Sequence, residues 1–333
     1  MKTRVYAPTD NNLRRLAAAL RRGELVALPT ETVYGLAANA LDARACRRIF
    51  TAKRRPANDP LIVHVTDLRA AEALAEVNDV ARVLARTFWP GPLTLVLPKK
   101  KVVPGIVTSG QRTVAVRSPA HRLARKILQL AHVPLAAPSA NPFGYVSPTT
   151  AAHVLQGLEG RIPHVLDGGP CDVGVESTIV DVSKPRRLVI LRPGAISAAD
   201  VRAALAQVGR RVRVVSRRRK LPTMSGAAIA PGMLEQHYSP RTPLELRARV
   251  TRAEAADVKT GCIFWRTPKT KSANAIALTR NGDIAEAARN LYAVLRRMDR
   301  AGFAKLVCER APKSAGPLGQ AINDRLTRAA ARR

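Results

Sequence analysis

Several short segments set reactive or anion-binding side chains beside chain reversals. Pro29-Thr30-Glu31-Thr32-Val33-Tyr34-Gly35-Leu36 places hydroxyls, an acid and a glycine directly after an apolar run. That is the composition of a ligand loop at a strand end in an α/β protein, and equally of a turn with a helix cap. Lys53-Arg54-Arg55-Pro56-Ala57-Asn58-Asp59-Pro60 puts three cations ahead of a loop stiffened by two prolines. Arginine offers a planar fork for phosphate oxygens and lysine a compact point charge, so the set suits a polyphosphate. Cations at a helix C-terminus are also favoured by the dipole alone. His64 sits in Leu61-Ile62-Val63-His64-Val65, where either a ligand or a hydrogen-bonded core histidine fits. Ala137-Pro138-Ser139-Ala140-Asn141-Pro142 carries a hydroxyl and an amide two residues apart in a rigid loop. Such a pair can hold a nucleotide from one side, or simply form a turn. Asp167-Gly168-Gly169-Pro170, Glu176-Ser177-Thr178 and Arg192-Pro193-Gly194 are weaker signals of the same kind, and no Walker loop or G-x-G-x-x-G fingerprint is present.

These segments need a scaffold, and the surrounding pattern supplies one. Thr9-Asp10 predicts a helix cap, with Leu13, Leu16, Ala17 and Leu20 on one face and Gly23 as the stop. Asp42 predicts a second cap, for a helix reaching Ile49 and Phe50. Short apolar runs at 25–28, 61–65, 93–97, 113–117, 134–137, 177–182 and 187–191 predict strands, with helices near 68–76, 79–88, 119–131 and 149–157. The alternation predicts one α/β unit over residues 1–208. Residues 209–243 read as a linker, with seven basic and no acidic residues from Arg210 to Lys220 and many Pro and Gly after them. From 244 to 333 a small α/β unit is expected, with strands at 261–265 and 305–308 and helices at 284–295 and 322–329.

The chain of 333 residues carries a net charge of +32. A field of that sign attracts polyanions such as ATP, pyrophosphate and RNA, yet does not choose between a nucleic-acid surface and a merely Arg-rich solvated one. Cys46, Cys171, Cys262 and Cys308 are widely separated, so neither a zinc site nor a disulfide framework follows, and a reduced compartment is expected. No signal-peptide core or membrane-spanning window is visible. The expectation is a soluble cytoplasmic protein with no membrane partner.

In order, the segments at 29–36, 53–55, 60–65, 89–94, 114–117, 139–141 and 176–180 resemble the YrdC-like domain of threonylcarbamoyl-AMP synthases. Pro231-Gly232-Met233, His237-Tyr238, Glu286-Ala287-Ala288-Arg289-Asn290-Leu291 and Gly319-Gln320-Ala321-Ile322-Asn323-Asp324-Arg325-Leu326 resemble the linker and Rossmann-like C-terminal domain of the long members. Resemblance thus spans nearly the whole chain. It implies a twisted mixed sheet around a basic cleft, followed by a small parallel α/β domain.

The implied activity is that of a nucleotidyltransferase. L-Threonine, bicarbonate or CO2, and ATP give threonylcarbamoyl-AMP and pyrophosphate, and a separate transferase passes the group to tRNA beside the anticodon. Direct tRNA contact is not implied. By the resemblance Lys53 and Arg55 are catalytic. ATP contacts fall on Lys53, Arg55, Asp59, Thr113, Ser139, Asn141, Ser147, Arg192 and Tyr238, and threonine contacts on Thr32, His64, Arg117, Ala137 and Ser177. Magnesium comes with ATP, and no protein metal site is implied. Arg54 and Asp59 depart from the commoner glycine and asparagine. Positioning and charge stabilisation suffice for such chemistry without a covalent nucleophile. Residues 231–238 are expected to close over the cavity as a lid that protects the adenylate from water. Two other readings are an RNA-binding module that clamps phosphates, and a carbamoyl transferase of hydrogenase maturation. The first lacks interleaved aromatics and the second would need cysteine zinc modules.

Overall fold

A computed structural model describes residues 1–216, 237–268 and 272–331. The predicted caps form. Thr9 Oγ1 accepts from Asn12 N at 3.4 Å to start the helix Asp10–Arg21. The Asp42 carboxylate accepts from Arg44 N at 2.8 Å and Ala45 N at 3.2 Å to start Ala43–Lys53. That second helix ends with Arg54 in the left-handed conformation (φ 53°), which turns the chain so that Lys53 and Arg55 both point inward.

The larger sheet has eleven strands in the order Arg4–Tyr6, His164–Leu166, Val26–Leu28, Gly35–Asn39, Leu135–Ala136, Ile62–His64, Thr113–Arg117, Leu93–Pro98, Thr178–Asp181, Arg187–Arg192, Arg213–Ser216. Pairing is mixed: Ile62–His64 runs parallel to Thr113–Arg117, which is antiparallel to Leu93–Pro98. The runs with continuous apolar character lie mid-sheet and are buried on both faces. Helices Ala43–Lys53, Asp79–Phe88, Ala151–Leu158 and Ala198–Ala206 pack their apolar sides into the main core.

Three differences from the sequence reading have physical causes. Arg4–Tyr6 and His164–Leu166 are only three residues long, too short to show a period. Gly35–Asn39 continues the 29–36 loop and pairs antiparallel with Val26–Leu28, making a tight reversal of what looked like loop alone. Arg213–Ser216 falls inside the segment read as linker, yet it pairs parallel with Arg187–Arg192 and extends the sheet beyond residue 208. With Val214 buried and the charge of Arg213 exposed it suits an edge strand, where a charge discourages pairing with other chains.

The second sheet is wholly parallel, in the order Leu244–Arg247, Lys305–Glu309, Thr260–Arg266, Ala275–Thr279. Helices Ile284–Asp299 and Gly316–Ala329 cover it, the latter starting well before the predicted residue 322. Its core includes Val33, Val146, Val175 and Tyr238 together with Leu291, Tyr292 and Ile322. The two sheets therefore share one apolar seam. Gly174 lies at a point of close approach: at φ 78°, a Cβ there would stand 2.4 Å from Ala288 O.

Candidate functional site

A cavity of about 40 Å³ opens between the strand ends of the larger unit, and His237 and Tyr238 are part of its lining. Among the residues predicted from sequence, Thr32, Arg55, His64, Arg117, Ala137, Ser139, Arg192 and Tyr238 line it. Sequence positions more than two hundred apart thus converge on one small volume.

One wall is cationic. Arg55 is buried, donates from Nε to Asp59 O at 2.9 Å and from Nη2 to Pro60 O at 2.7 Å, and pairs with Asp59 Oδ2 at 2.8 Å. The two prolines of that loop fix its carbonyls toward the guanidinium. Behind it, Lys53 Nζ donates to Ser139 O at 2.5 Å and also to Asn141 O, which ties the helix end to the Ser139–Asn141 loop. Burial, reinforced by the charge of Arg55, pulls the Lys53 ammonium well below its ordinary range, and Asp59 opposes this. Arg192 donates from Nε to Ser177 O at 3.1 Å and from Nη2 to Ser177 Oγ at 3.2 Å.

The facing wall is built for a smaller, polar group. Arg117 Nη2 pairs with Glu31 at 2.7 Å, Nη1 donates to Thr32 Oγ1 at 3.0 Å, and Nε donates to Gly91 O at 3.2 Å. Thr30 and Thr32 share a hydroxyl hydrogen bond of 2.9 Å, and Thr30 Oγ1 also accepts from Val33 N. The 29–36 loop is thus closed on itself, with Thr32 presented to the cavity. His64 is 5% exposed, and both ring nitrogens lack a hydrogen-bond partner among the described residues. Burial, then the charge of Arg117, pushes its pKa down to about 3. A neutral imidazole with a free donor and a free acceptor, enclosed beside an arginine, is arranged for a ligand.

The remaining predicted residues lie behind these walls or away from them. Asn141 Nδ2 donates to Pro142 O and Tyr145 O, shaping its loop. Ser147 donates to Glu176 Oε1 at 2.6 Å, and Ser177 bonds Thr94 Oγ1 at 2.8 Å. Asp59 is fully buried on Arg55, and Thr113, opposite Pro98 at its strand start, is away from the lining. Sequence reading assigned no role to Glu31 or Glu176 individually, although both stand in quoted segments. It also missed Tyr292 and Arg325, which reach Glu176 from the second sheet's helices at 2.8 and 2.9 Å. Of the expected lid, His237 and Tyr238 line the cavity, while residues 231–236 lie outside the described residues.

A mixed sheet enclosing a cationic cavity defines a YrdC-like protein. Residues 18–194 match the family of Sua5, YciO and YrdC, described as telomere recombination, and residues 196–331 match the threonylcarbamoyl-AMP synthase C-terminal domain. Threonylcarbamoyl-AMP synthase of Pyrococcus abyssi is 40% identical over 95% of this chain and 93% of its own length. The Bacillus subtilis enzyme of that name is 42% identical over 71% of this chain and 67% of its own. The crystal structure of P. abyssi Sua5 complexed with L-threonine superposes with a TM-score of 0.88 at 38% identity, covering 98% of each chain. The chain belongs to the threonylcarbamoyl-AMP synthase family.

Proposed function

We infer that the protein makes threonylcarbamoyl-AMP and pyrophosphate from L-threonine, bicarbonate or CO2, and ATP. One observation carries the reading. A small cavity holds, on one side, a neutral His64 with no hydrogen-bond partner among the described residues, beside Arg117 and Thr32, and on the other the cations Arg55 and Arg192 with Ser139. Two subsites of different chemistry therefore share one volume, as joining an amino acid to a nucleotide requires. The threonine-bound P. abyssi neighbour and the names of the relatives support the same substrates.

In this reading Arg117 takes the threonine carboxylate with the N–H groups not spent on Glu31, Thr32 and Gly91, and His64 and Thr32 take its amine and hydroxyl. Ala137 and Ser177 complete that side. The amine adds to CO2 and releases a proton, the carbamate oxygen attacks the α-phosphorus, and pyrophosphate leaves. Lys53, Arg55 and Arg192 neutralise the charge growing on the leaving group, and Ser139, Asn141 and Ser147 hold the nucleotide's frame. Asp59 and Thr113 serve the nucleotide only through their neighbours.

Magnesium enters on the phosphates. Both oxygens of Glu176, the carboxylate on the lining, are already engaged by Ser147, Tyr292 and Arg325, and the described residues offer no cluster of three metal-ligating side chains. In this reading the ion's ligands would be phosphate oxygens and water. No helix among the described residues is long and apolar enough to cross a membrane. A cytoplasmic location and hand-over of the adenylate to a separate transferase acting on tRNA complete the proposal.

His237 and Tyr238 form the roof in the lid reading. Small-molecule pockets commonly measure roughly 300–1,000 Å³, far more than the about 40 Å³ found here, and in this reading His237 and Tyr238 move outward to admit the nucleotide. The test is pyrophosphate release with each substrate omitted in turn, repeated in Lys53→Ala and Arg55→Ala. Release is expected to need all three substrates and to fall at least about a hundredfold in each variant. Release without threonine and bicarbonate, or full activity in both variants, would sink the reading.

A further inference from the structure

Glu176 faces the cavity but is held from the other unit. Its Oε1 accepts from Ser147 Oγ at 2.6 Å, while Oε2 accepts from Tyr292 Oη at 2.8 Å and pairs with Arg325 Nε at 2.9 Å. Tyr292 belongs to the helix Ile284–Asp299 and Arg325 to Gly316–Ala329, and both side chains are fully buried. Burial pushes the Glu176 carboxyl up, but the charges of Arg325 and Arg192, with hydrogen bonds from Ser147 and Arg325, outweigh it and keep the group ionised.

The same two residues enclose Tyr238. Its ring stacks on Tyr292 with centroids 5.8 Å apart and 25° between planes, and the Arg325 guanidinium carbon lies 5.4 Å from its centroid. The Tyr238 backbone is at φ 66°, a left-handed conformation that a tyrosine keeps only where its surroundings impose it. Its hydroxyl is buried on the cavity lining and has no hydrogen-bond partner among the described residues. Leaving such a hydroxyl bare is unfavourable, and packing two domains together would not require it. A buried Glu–Arg–Tyr set is likewise a poor way to gain adhesion, because an apolar seam does so without desolvating charge.

We propose that Tyr292 and Arg325 are positioning residues for the adenylation step: the second unit fixes the Glu176 carboxylate and aims the Tyr238 hydroxyl at the bound nucleotide. Substrates are then gripped by the larger unit, while the geometry that makes the grip productive is supplied by the smaller one. The proposal rests on the adenylate-forming reading above.

Tyr292→Phe removes one hydrogen bond to Glu176 and keeps the stacked ring, while Arg325→Met removes the charge and keeps the side-chain length. Full-length variants are compared for threonine- and bicarbonate-dependent pyrophosphate release and for Tm. Tyr292→Phe is expected to lower kcat on the order of tenfold without raising the KM for ATP, and Arg325→Met to lower it further. In a Glu176→Gln background, Tyr292→Phe is expected to have no further effect, because Tyr292 acts through that carboxylate. If Arg325→Met does not fold, the near-isosteric Tyr292→Phe carries the test. Wild-type kcat in Tyr292→Phe, or a loss that adds in full to that of Glu176→Gln, would overturn the proposal. A wild-type chain that releases no pyrophosphate would instead refute the adenylation reading, and this proposal with it.

Discussion

Glu31 and Arg117 form an ion pair of 2.7 Å between two side chains that are each nearly fully buried. Burial raises the Glu31 carboxyl, but the charge and hydrogen bonding of Arg117 more than offset this and keep it ionised. The pair sets the plane of the guanidinium, whose other nitrogens reach Thr32 and Gly91. Glu31→Gln should therefore loosen Arg117 without touching the nucleotide wall. Steady-state kinetics is expected to show the threonine KM rising on the order of tenfold, with the ATP KM within about twofold. An equal rise in both would contradict this division of the cavity.

Asp59 does for Arg55 what Glu31 does for Arg117. It is wholly buried and adds a carboxylate to the backbone carbonyls that hold the guanidinium. Removing one partner of a buried pair leaves an uncompensated charge, so Asp59→Ala is expected to cost about 3–5 kcal/mol of stability. Denaturant unfolding measures this directly, and a wild-type midpoint would disprove it.

His64 gives the fold an acid-sensitive component. Its pKa of about 3 in the native state lies below the ordinary histidine value of 6.5. Between those values the unfolded chain binds a proton that the native chain does not, so stability falls as pH drops from 6.5 and levels off near 3. The contribution of His64 is on the order of 5 kcal/mol when fully lost. His153, lowered to about 4 by burial, and His237, also lowered by burial, act with the same sign. His64→Gln should flatten this acid limb in a series of Tm measurements, and an unchanged limb would show that His64 is protonated in the native state.

Gly174→Ala tests the seam between the units. The new Cβ would meet Ala288 O at 2.4 Å and Arg289 Cα at 2.5 Å, both backbone atoms that cannot swing aside, at a residue already at φ 78°. A loss of at least about 2 kcal/mol is expected, with earlier proteolytic cutting between the units. Wild-type stability and cleavage would show that the helix Ile284–Asp299 can retreat freely.

Much of this was legible from local signals. Thr9 and Asp42 mark helix starts because a cap is satisfied within three residues, and Ile62–His64 and Thr113–Arg117 are visible because strands buried on both faces are continuously apolar. Arg213–Ser216 was hidden because its two valines stand between basic runs, Arg210-Arg211 and Arg217-Arg218-Arg219-Lys220, that have the composition of a linker. Sheet order was not legible at all. Leu135–Ala136 is a two-residue strand wedged between Gly35–Asn39 and Ile62–His64, and nothing in its sequence names those neighbours. The cations and hydroxyls of the site announced anion binding by type, and ordered resemblance narrowed the substrate. Their carboxylate partners did not announce themselves, since Glu176 and Arg325 meet across 149 residues and each alone is an ordinary charged side chain.

The small cavity lined by His237 and Tyr238 also carries a population cost. If these two residues must move outward to admit ATP, nucleotide binds only the fraction of molecules in which they have moved, and its apparent dissociation constant is the intrinsic one divided by that fraction. A substitution that holds both residues outward would then ease entry, while it takes the Tyr238 hydroxyl away from the nucleotide and strips away the enclosure in which the adenylate survives. Entry and yield are set against each other by one equilibrium, and a variant of this chain that admits ATP more freely should be the poorer catalyst.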